Sequence, residues 1–151
     1  MKNIILQRAT AKDVDVYLSL EQSVIGPKTY SGITDRNEVI EEIENNVVYL
    51  VKVDGIVVGS TEYQMKGKDE AYLSGGVMSP SFQGQGIPKI VFKKILKELM
   101  SVKRIYLVTH PHNIPILRLA LSFCFIVEAW KDDYFGDGEP RLILSRTHTK
   151  I

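Results

Sequence analysis

The chain has 151 residues, 19 Lys+Arg against 18 Asp+Glu, 44% hydrophobic side chains and one cysteine, the profile of an ordinary globular protein. A net charge of +1 lacks the cationic excess with which nucleic-acid binders displace counterions, and a lone Cys124 cannot form an intrachain disulfide. The opening apolar run, Ile4-Ile5-Leu6, is too short for a signal peptide or a membrane span, so the expectation is a single domain over residues 1–151 in a reducing cytoplasm, without nucleic-acid, membrane or metal partners.

Ile4 to Arg8 reads as a short strand, and Thr10 with Asp13 as an acidic helix-start box opening a helix from Ala11 to Ser23. Val14, Tyr17, Leu18 and Val24 supply its apolar spacing, and Gly26-Pro27 and Ser31-Gly32 end it. Thr34 or Asp35 caps a second helix to Asn45. From Val47 the composition turns β-branched: Val47 to Val53, the turn Asp54-Gly55 and Ile56 to Met65 predict a hairpin, and Ala71 to Met78 a third strand beside it. Ile87 to Val102 predicts a helix with Ile87, Ile90, Val91, Ile95, Leu96 and Leu99 inward and Lys89, Lys93, Lys97 and Glu98 outward. Ile105 to Thr109, Phe125 to Trp130 and Arg141 to Arg146 read as strands, with a helix from Asn113 to Ser122. The order β-α-α-β-β-β-α-β-α-β-β describes an α/β (α+β) domain whose mixed central sheet is flanked by helices.

The junction Gly76-Val77-Met78-Ser79-Pro80-Ser81-Phe82-Gln83-Gly84-Gln85-Gly86-Ile87-Pro88 carries the strongest functional signal. Two glycines in a loop that opens a helix expose backbone N–H groups at the positive end of the helix dipole, an anion site suited to phosphate. No Gly-Lys-Ser/Thr is present for a P-loop, and Lys89 stands where a dinucleotide fingerprint needs its third glycine. The run Gln83-Gly84-Gln85-Gly86-Ile87-Pro88 resembles the acyl-CoA signature Gln/Arg-x-x-Gly-x-Gly/Ala of the GNAT superfamily of N-acyltransferases, and the element order is also that family's.

The resemblance implies that the loop Gln83, Gly84, Gln85, Gly86, Ile87 and Pro88 cradles the pyrophosphate of acetyl-CoA with its amides, and that Gly76, Val77 and Met78 pair with its pantetheine arm. Pro88 departs from the pattern: it suits a first helical turn but brings no N–H. Lys89 and Lys93, one turn apart, can approach phosphates or simply face solvent. Asn113 matches the family's second landmark, where its side chain reaches the pantetheine region, and it is equally a helix N-cap candidate. Ala120 replaces the family tyrosine that protonates the leaving thiolate, Val108 stands where the N-terminal branch places Glu or His, and Cys124 replaces a glycine. A CoA thiol ionises near the ~8.5 of cysteine and leaves without much help, so these losses slow catalysis, by about 10² to 10⁴ for a general acid, without abolishing it.

Proton handling then falls to other groups. His110, at a strand end in Thr109-His110-Pro111-His112, has a suitable unperturbed pKa of about 6.5. Tyr72 matches a tyrosine that some N-terminal acetyltransferases use through a bridging water. Glu62 on the hairpin either orients an amine or points to solvent, and Cys124 between Phe123 and Phe125 reads as a small buried hydrophobe. The run Lys131-Asp132-Asp133-Tyr134-Phe135-Gly136-Asp137-Gly138-Glu139-Pro140-Arg141 is similar to the hairpin that borders the peptide entrance of ribosomal-protein acetyltransferases, where the tyrosine, here Tyr134, contacts substrate. Its acids, with Glu38, Glu41, Glu42 and Glu44, either attract a cationic amine or form solvated faces. Because an α-amine near 7.8 is about one-seventh neutral at neutral pH while a lysine near 10.4 is neutral at under ~0.1%, a site without an evident strong base suits an α-amine. Three readings follow: an acetyl-CoA-dependent N-acetyltransferase acting on a peptide α-amine or other primary amine by direct attack, a small-molecule amine acetyltransferase, and a catalytically silent acyl-CoA-binding domain. Either a monomer or a homodimer fits the sequence.

Overall fold

The computed structural model of the chain describes residues 3–24 and 35–147; the breakers Gly26-Pro27 and Ser31-Gly32, and Thr34 as a cap, lie outside the described residues. In chain order the elements are β1 (Ile4–Arg8), α1 (Val14–Gln22), α2 (Arg36–Asn45), β2 (Val47–Val53), β3 (Ile56–Met65), β4 (Glu70–Met78), α3 (Ile87–Glu98), β5 (Arg104–Thr109), α4 (Ile114–Ser122), β6 (Ile126–Lys131) and β7 (Arg141–Thr147), with single 3-10 turns at Ala11–Asp13 and Pro80–Phe82. The seven strands form one sheet in the order β1-β2-β3-β4-β5-β7-β6. Among the described residues only β4 and β5 run parallel.

Local chemistry accounts for the boundaries. The Thr10 hydroxyl accepts from Lys12 N–H and Asp13 accepts from Thr10 N–H, so the predicted start box is made. It opens on a tight 3-10 turn, which moves the start of the α-helix to Val14. Asp35 caps α2 by accepting from Asn37 N–H at 3.0 Å. Asp54 and Gly55, at φ 50° and 85°, make the two-residue left-handed turn that matches the twist of a β2–β3 hairpin.

The core lies on both faces of the sheet. On one, α3 and α4 cover Ala71, Ile105, Leu107 and Leu144, and α3 continues over Val51, Val53 and Val58. On the other, α1 and α2 cover Val48, Leu50 and Val77. Tyr49 and Tyr63 both donate to Glu98, at 2.7 and 2.6 Å, tying the end of α3 to the sheet.

Two expectations need correction. Ile90 is 44% exposed rather than inward: the buried arc of α3 centres on Ile95, and Ile90 lies about 140° round the helix from it. Cys124 is exposed, not buried. It follows α4 at φ 66°, with its N–H on Leu121 O and the Phe125 N–H on Ala120 O, both at 3.1 Å. That bond pair is a Schellman ending, which turns the Cys124 side chain outward and sends Phe125 into the core.

Candidate active site

The sheet opens where its single parallel pair ends. β4 and β5 are paired over four residues, from Glu70↔Arg104 to Leu73↔Leu107; beyond them β5 stays on β7 through Val108 and Thr109, and β4 stays on β3 through Gly75 to Met78. The facing edges therefore diverge and leave backbone groups of both strands without a ladder partner in the gap. The helices that follow these strands, α3 and α4, both begin at this carboxyl end of the sheet. A crevice outside the carboxyl ends of neighbouring parallel strands is where open α/β sheets take ligands.

The glycine loop borders the crevice. Gly84 and Gly86 have φ of 78° and 76°, a left-handed conformation that favours glycine, and a Cβ at either would meet nothing within 4 Å, so the loop backbone faces open space. Gly86 precedes the first turn of α3, whose leading amides have no intrahelical acceptors; Pro88 removes one of these donors. The Gln83 side chain donates to Met78 O at 3.1 Å and braces the loop against β4, while Gln85 Nε2 donates to Ser81 O at 3.3 Å. Ile87 is buried and Lys89 and Lys93 are exposed. Asn113 stands at the N-cap of α4, half-buried, and its side chain makes no capping hydrogen bond. Ala120, at the tyrosine position, is wholly buried in the core.

On the sheet face opposite α3, a β-bulge shapes the wall. Between the pairs Glu62↔Gly75 and Gln64↔Tyr72, one β3 residue opposes two on β4, Leu73 and Ser74, which bends β4 where it leaves β5. Val48 pairs with Glu62 and packs under α1 and α2, so Glu62 shares that face. Glu62 is 5% exposed. Its Oε1 hangs over Gly75 so closely that a Cβ there would be 2.7 Å away, and its Oε2 is buried without a hydrogen-bond partner. Glu42, Glu21 and Tyr17 lie close enough to influence its charge. Burial foremost, then the Glu42 carboxylate and Glu21, push Glu62 up to about 9, so it rests as a neutral acid at neutral pH.

Tyr72 pairs with Tyr106 across the parallel ladder, and the rings stack at 4.9 Å with 11° between planes. Burial, then Tyr134 and Tyr106, push Tyr72 up to about 12. Its phenol is therefore a proton donor or water anchor rather than a base. Tyr134 stands close enough to raise both rings, is partly exposed and packs edge-on to Phe135 at 4.8 Å.

His110 is not the surface residue that its strand-end position suggests: it is 3% exposed. Its Nδ1 accepts from His112 N–H at 3.0 Å, which places the neutral ring's proton on Nε2, 3.0 Å from Glu139 Oε1. Nδ1 is thus engaged within the β5–α4 loop, while Nε2 fastens the β6–β7 connection to the end of β5. The acids of that connection are likewise occupied internally: Asp133 accepts from Gly138 N–H at 2.6 Å, and Asp137 accepts from Glu139 N–H at 3.0 Å and from buried Arg141 at 2.8 Å. Asp137 is held below the ordinary carboxylate range by that backbone bond and then by Arg141. Asp132 accepts from Trp130 Nε1 at 2.9 Å. Among the described residues no cluster of three potential metal ligands occurs, and no helix is long and apolar enough to cross a membrane.

Sequence reasoning underestimated Glu62 and Glu42. An acid in the middle of a strand was the available signal for Glu62; nothing local marks Glu42, one of several acids on α2.

The sequence pattern of the acetyltransferase (GNAT) family matches residues 17–124. No curated protein sequence matches the chain. Among solved structures, the chain is similar to the ribosomal-protein-S18-alanine N-acetyltransferase of Escherichia coli (17% identity, TM-score 0.82, covering 100% of this chain and 96% of that one). It is also similar to a putative acetyltransferase of Salmonella typhimurium solved with its cofactor acetyl-CoA (15%, 0.79, 99% and 96%). A GNAT family acetyltransferase of Elizabethkingia anophelis with acetyl-CoA bound gives 15%, 0.75, 96% and 98%. The fold and the family pattern agree: the chain belongs to the GNAT family of acetyltransferases.

Proposed function

We propose that residues 1–151 act as a single-domain, acetyl-CoA-dependent N-acetyltransferase that acetylates a primary amine, with a peptide α-amine as the favoured class. The observation that carries this is the diverging β4–β5 edge leading to an open left-handed glycine loop: an extended arm fits the first and a pyrophosphate the second. Two structurally similar proteins hold acetyl-CoA, and the Escherichia coli relative acts on an alanine of a ribosomal protein. Bound here, acetyl-CoA supplies an activated thioester.

The chain's own residues would do the rest. The unladdered edge of Gly76 to Met78 aligns the arm, the amides from Gly84 to Lys89, Pro88 excepted, hold phosphate, and Asn113, with a side chain free of its cap, reaches the cleft from the other wall. Glu62 orients the incoming amine, Tyr72 and Tyr134 hold water or the acceptor at the mouth, and His110 keeps the β6–β7 connection in place. Direct attack by a neutral amine then requires no covalent enzyme intermediate. The exposed free thiol of Cys124 suits a reducing, cytoplasmic setting.

Calorimetry with acetyl-CoA tests the reading. Gly86→Glu places a carboxylate where pyrophosphate is expected and should abolish binding, whereas Gly86→Ala, equally strained at φ 76°, should retain it. Equal affinities for the Glu and Ala variants would overturn the site.

A further inference from the structure

The face of the sheet opposite α3 and α4 is only partly covered. Ile105 and Leu107 point into the core beneath those helices, so Tyr106 and Val108, which alternate with them along β5, project from the other face. There α1 and α2 pack on Val48 and Leu50 of β2 and on Val77 of β4, and on no residue of β5. Register extends the uncovered ground across three strands: Tyr72 of β4 lies beside Tyr106, and Val108 beside Ile143 of β7. All four are half-buried, yet none belongs to a core cluster. They form an apolar shelf that begins at the crevice, where β5 leaves β4 after Leu107.

The shelf is held in place. Tyr72 and Tyr106 stack at 4.9 Å, and the Arg104 guanidinium lies over the Tyr106 ring, 4.7 Å from its centre. Arg104 is pinned in turn by Glu70 at 2.8 Å and by both carboxylate oxygens of Glu128 at 2.7 Å, which ties β4, β5 and β6 together next to the ring. A surface whose side chains are already fixed loses little freedom when it binds. Val108 and Ile143 bring no polar side-chain atom to it, so the β5–β7 wall accepts hydrocarbon.

Resting on the proposed acetyl transfer at the crevice, we propose that this shelf is a side-chain subsite for the acceptor. It takes a large apolar side chain, best an aromatic one, on the residue that follows the reacting α-amine, and Tyr106 sets the preference. A strand rises about 3.3 Å per residue, so Tyr106 lies about 6.6 Å behind Val108. An acceptor whose amine sits level with Val108 has its second Cα about 3.8 Å from its first, from which a phenylalanine ring covers the remaining distance to the stack. Burying that ring on the tyrosines adds an aromatic pairing to its removal from water. Polyamines and amino sugars carry no such group, so the shelf selects a peptide over a small polar amine.

The probes are the amidated tetrapeptides Ala-Phe-Gly-Gly and Ala-Ser-Gly-Gly, with spermidine and glucosamine, followed by CoA thiol release. The Phe peptide should exceed the Ser peptide by about 10-fold in kcat/KM, the worth of a buried apolar group, with the difference carried by KM. Tyr106→Ala should bring that ratio below about threefold, and Tyr106→Phe, which keeps the ring, should preserve it. Val108→Thr, which puts a hydroxyl on the shelf and leaves the stack alone, should lower the ratio as well. Thermal unfolding and acetyl-CoA calorimetry check that each variant is folded and binds the donor. A wild-type ratio near one, faster turnover of spermidine or glucosamine than of the Phe peptide, or an unchanged ratio in folded Tyr106→Ala overturns the subsite while leaving acetyl transfer intact. Absence of turnover on every amine overturns the acetyl-transfer reading itself.

Discussion

Two glycines on the β3–β4 seam, Gly75 and Gly59, give the sharpest separation of activity from stability. In Gly75→Ala the new methyl meets Glu62 Oε1 at 2.7 Å against 3.4 Å for ordinary contact, so the carboxyl must retreat by about 0.7 Å. Because the obstructing atom is the tip of a side chain, relief costs about 1 kcal/mol, the low end for overpacking. In a chain of this length that is ~2–4 °C in Tm. The activity cost is larger, since a displacement of roughly 1 Å in a reacting group can lose about 10²-fold in rate. In Gly59→Ala the methyl meets the Val77 carbonyl at 2.4 Å; backbone held in a ladder cannot retreat cheaply, and about 3 kcal/mol of stability should be lost. Scanning calorimetry and initial rates of thiol release on both variants measure the two effects. If Gly75→Ala kept kcat within twofold of wild type, Glu62 would have no place at the reacting amine and the reasoning would fail.

Two further outcomes follow from the same structure. Glu62 binds a proton in the fold up to about 9 but when unfolded only to the ordinary 4.5; in that window the native state holds more protons than the unfolded one, so stability falls as pH rises. Glu62→Gln should remove that slope, and urea unfolding at about pH 5 and about pH 8 should show it gaining on the order of 3 kcal/mol over wild type at the higher pH; parallel curves for the two proteins would refute this. Cys124→Gly should raise stability by about 1 kcal/mol, because glycine occupies the left-handed position after α4 without the Cβ penalty. A lowered Tm in that variant would contradict the Schellman assignment.

Much of this molecule is local and was legible in the sequence. Alternation, helical spacing, the Thr10–Asp13 box and the Asp54-Gly55 turn act over a few residues, and so specify β1 to β7 and α1 to α4 in order. The glycine loop is also local: Gly84 and Gly86 take their left-handed backbone ahead of α3 from their own residue type. Misjudgements arose where neighbours distant in the chain set the environment. His110 became buried because Glu139, 29 residues on, closes over it, and the acids after Lys131 are held by their own hairpin and by Arg141. Glu62 acquired its proton from burial under α1 and α2, and from Glu42, a residue of another element. The sequence by itself determined the elements, their order and the glycine loop, because these need only nearest neighbours. The tertiary structure alone decided which carboxyl is neutral, which histidine is locked and where β4 parts from β5, because ionisation and strand pairing depend on what folding brings within a few ångströms.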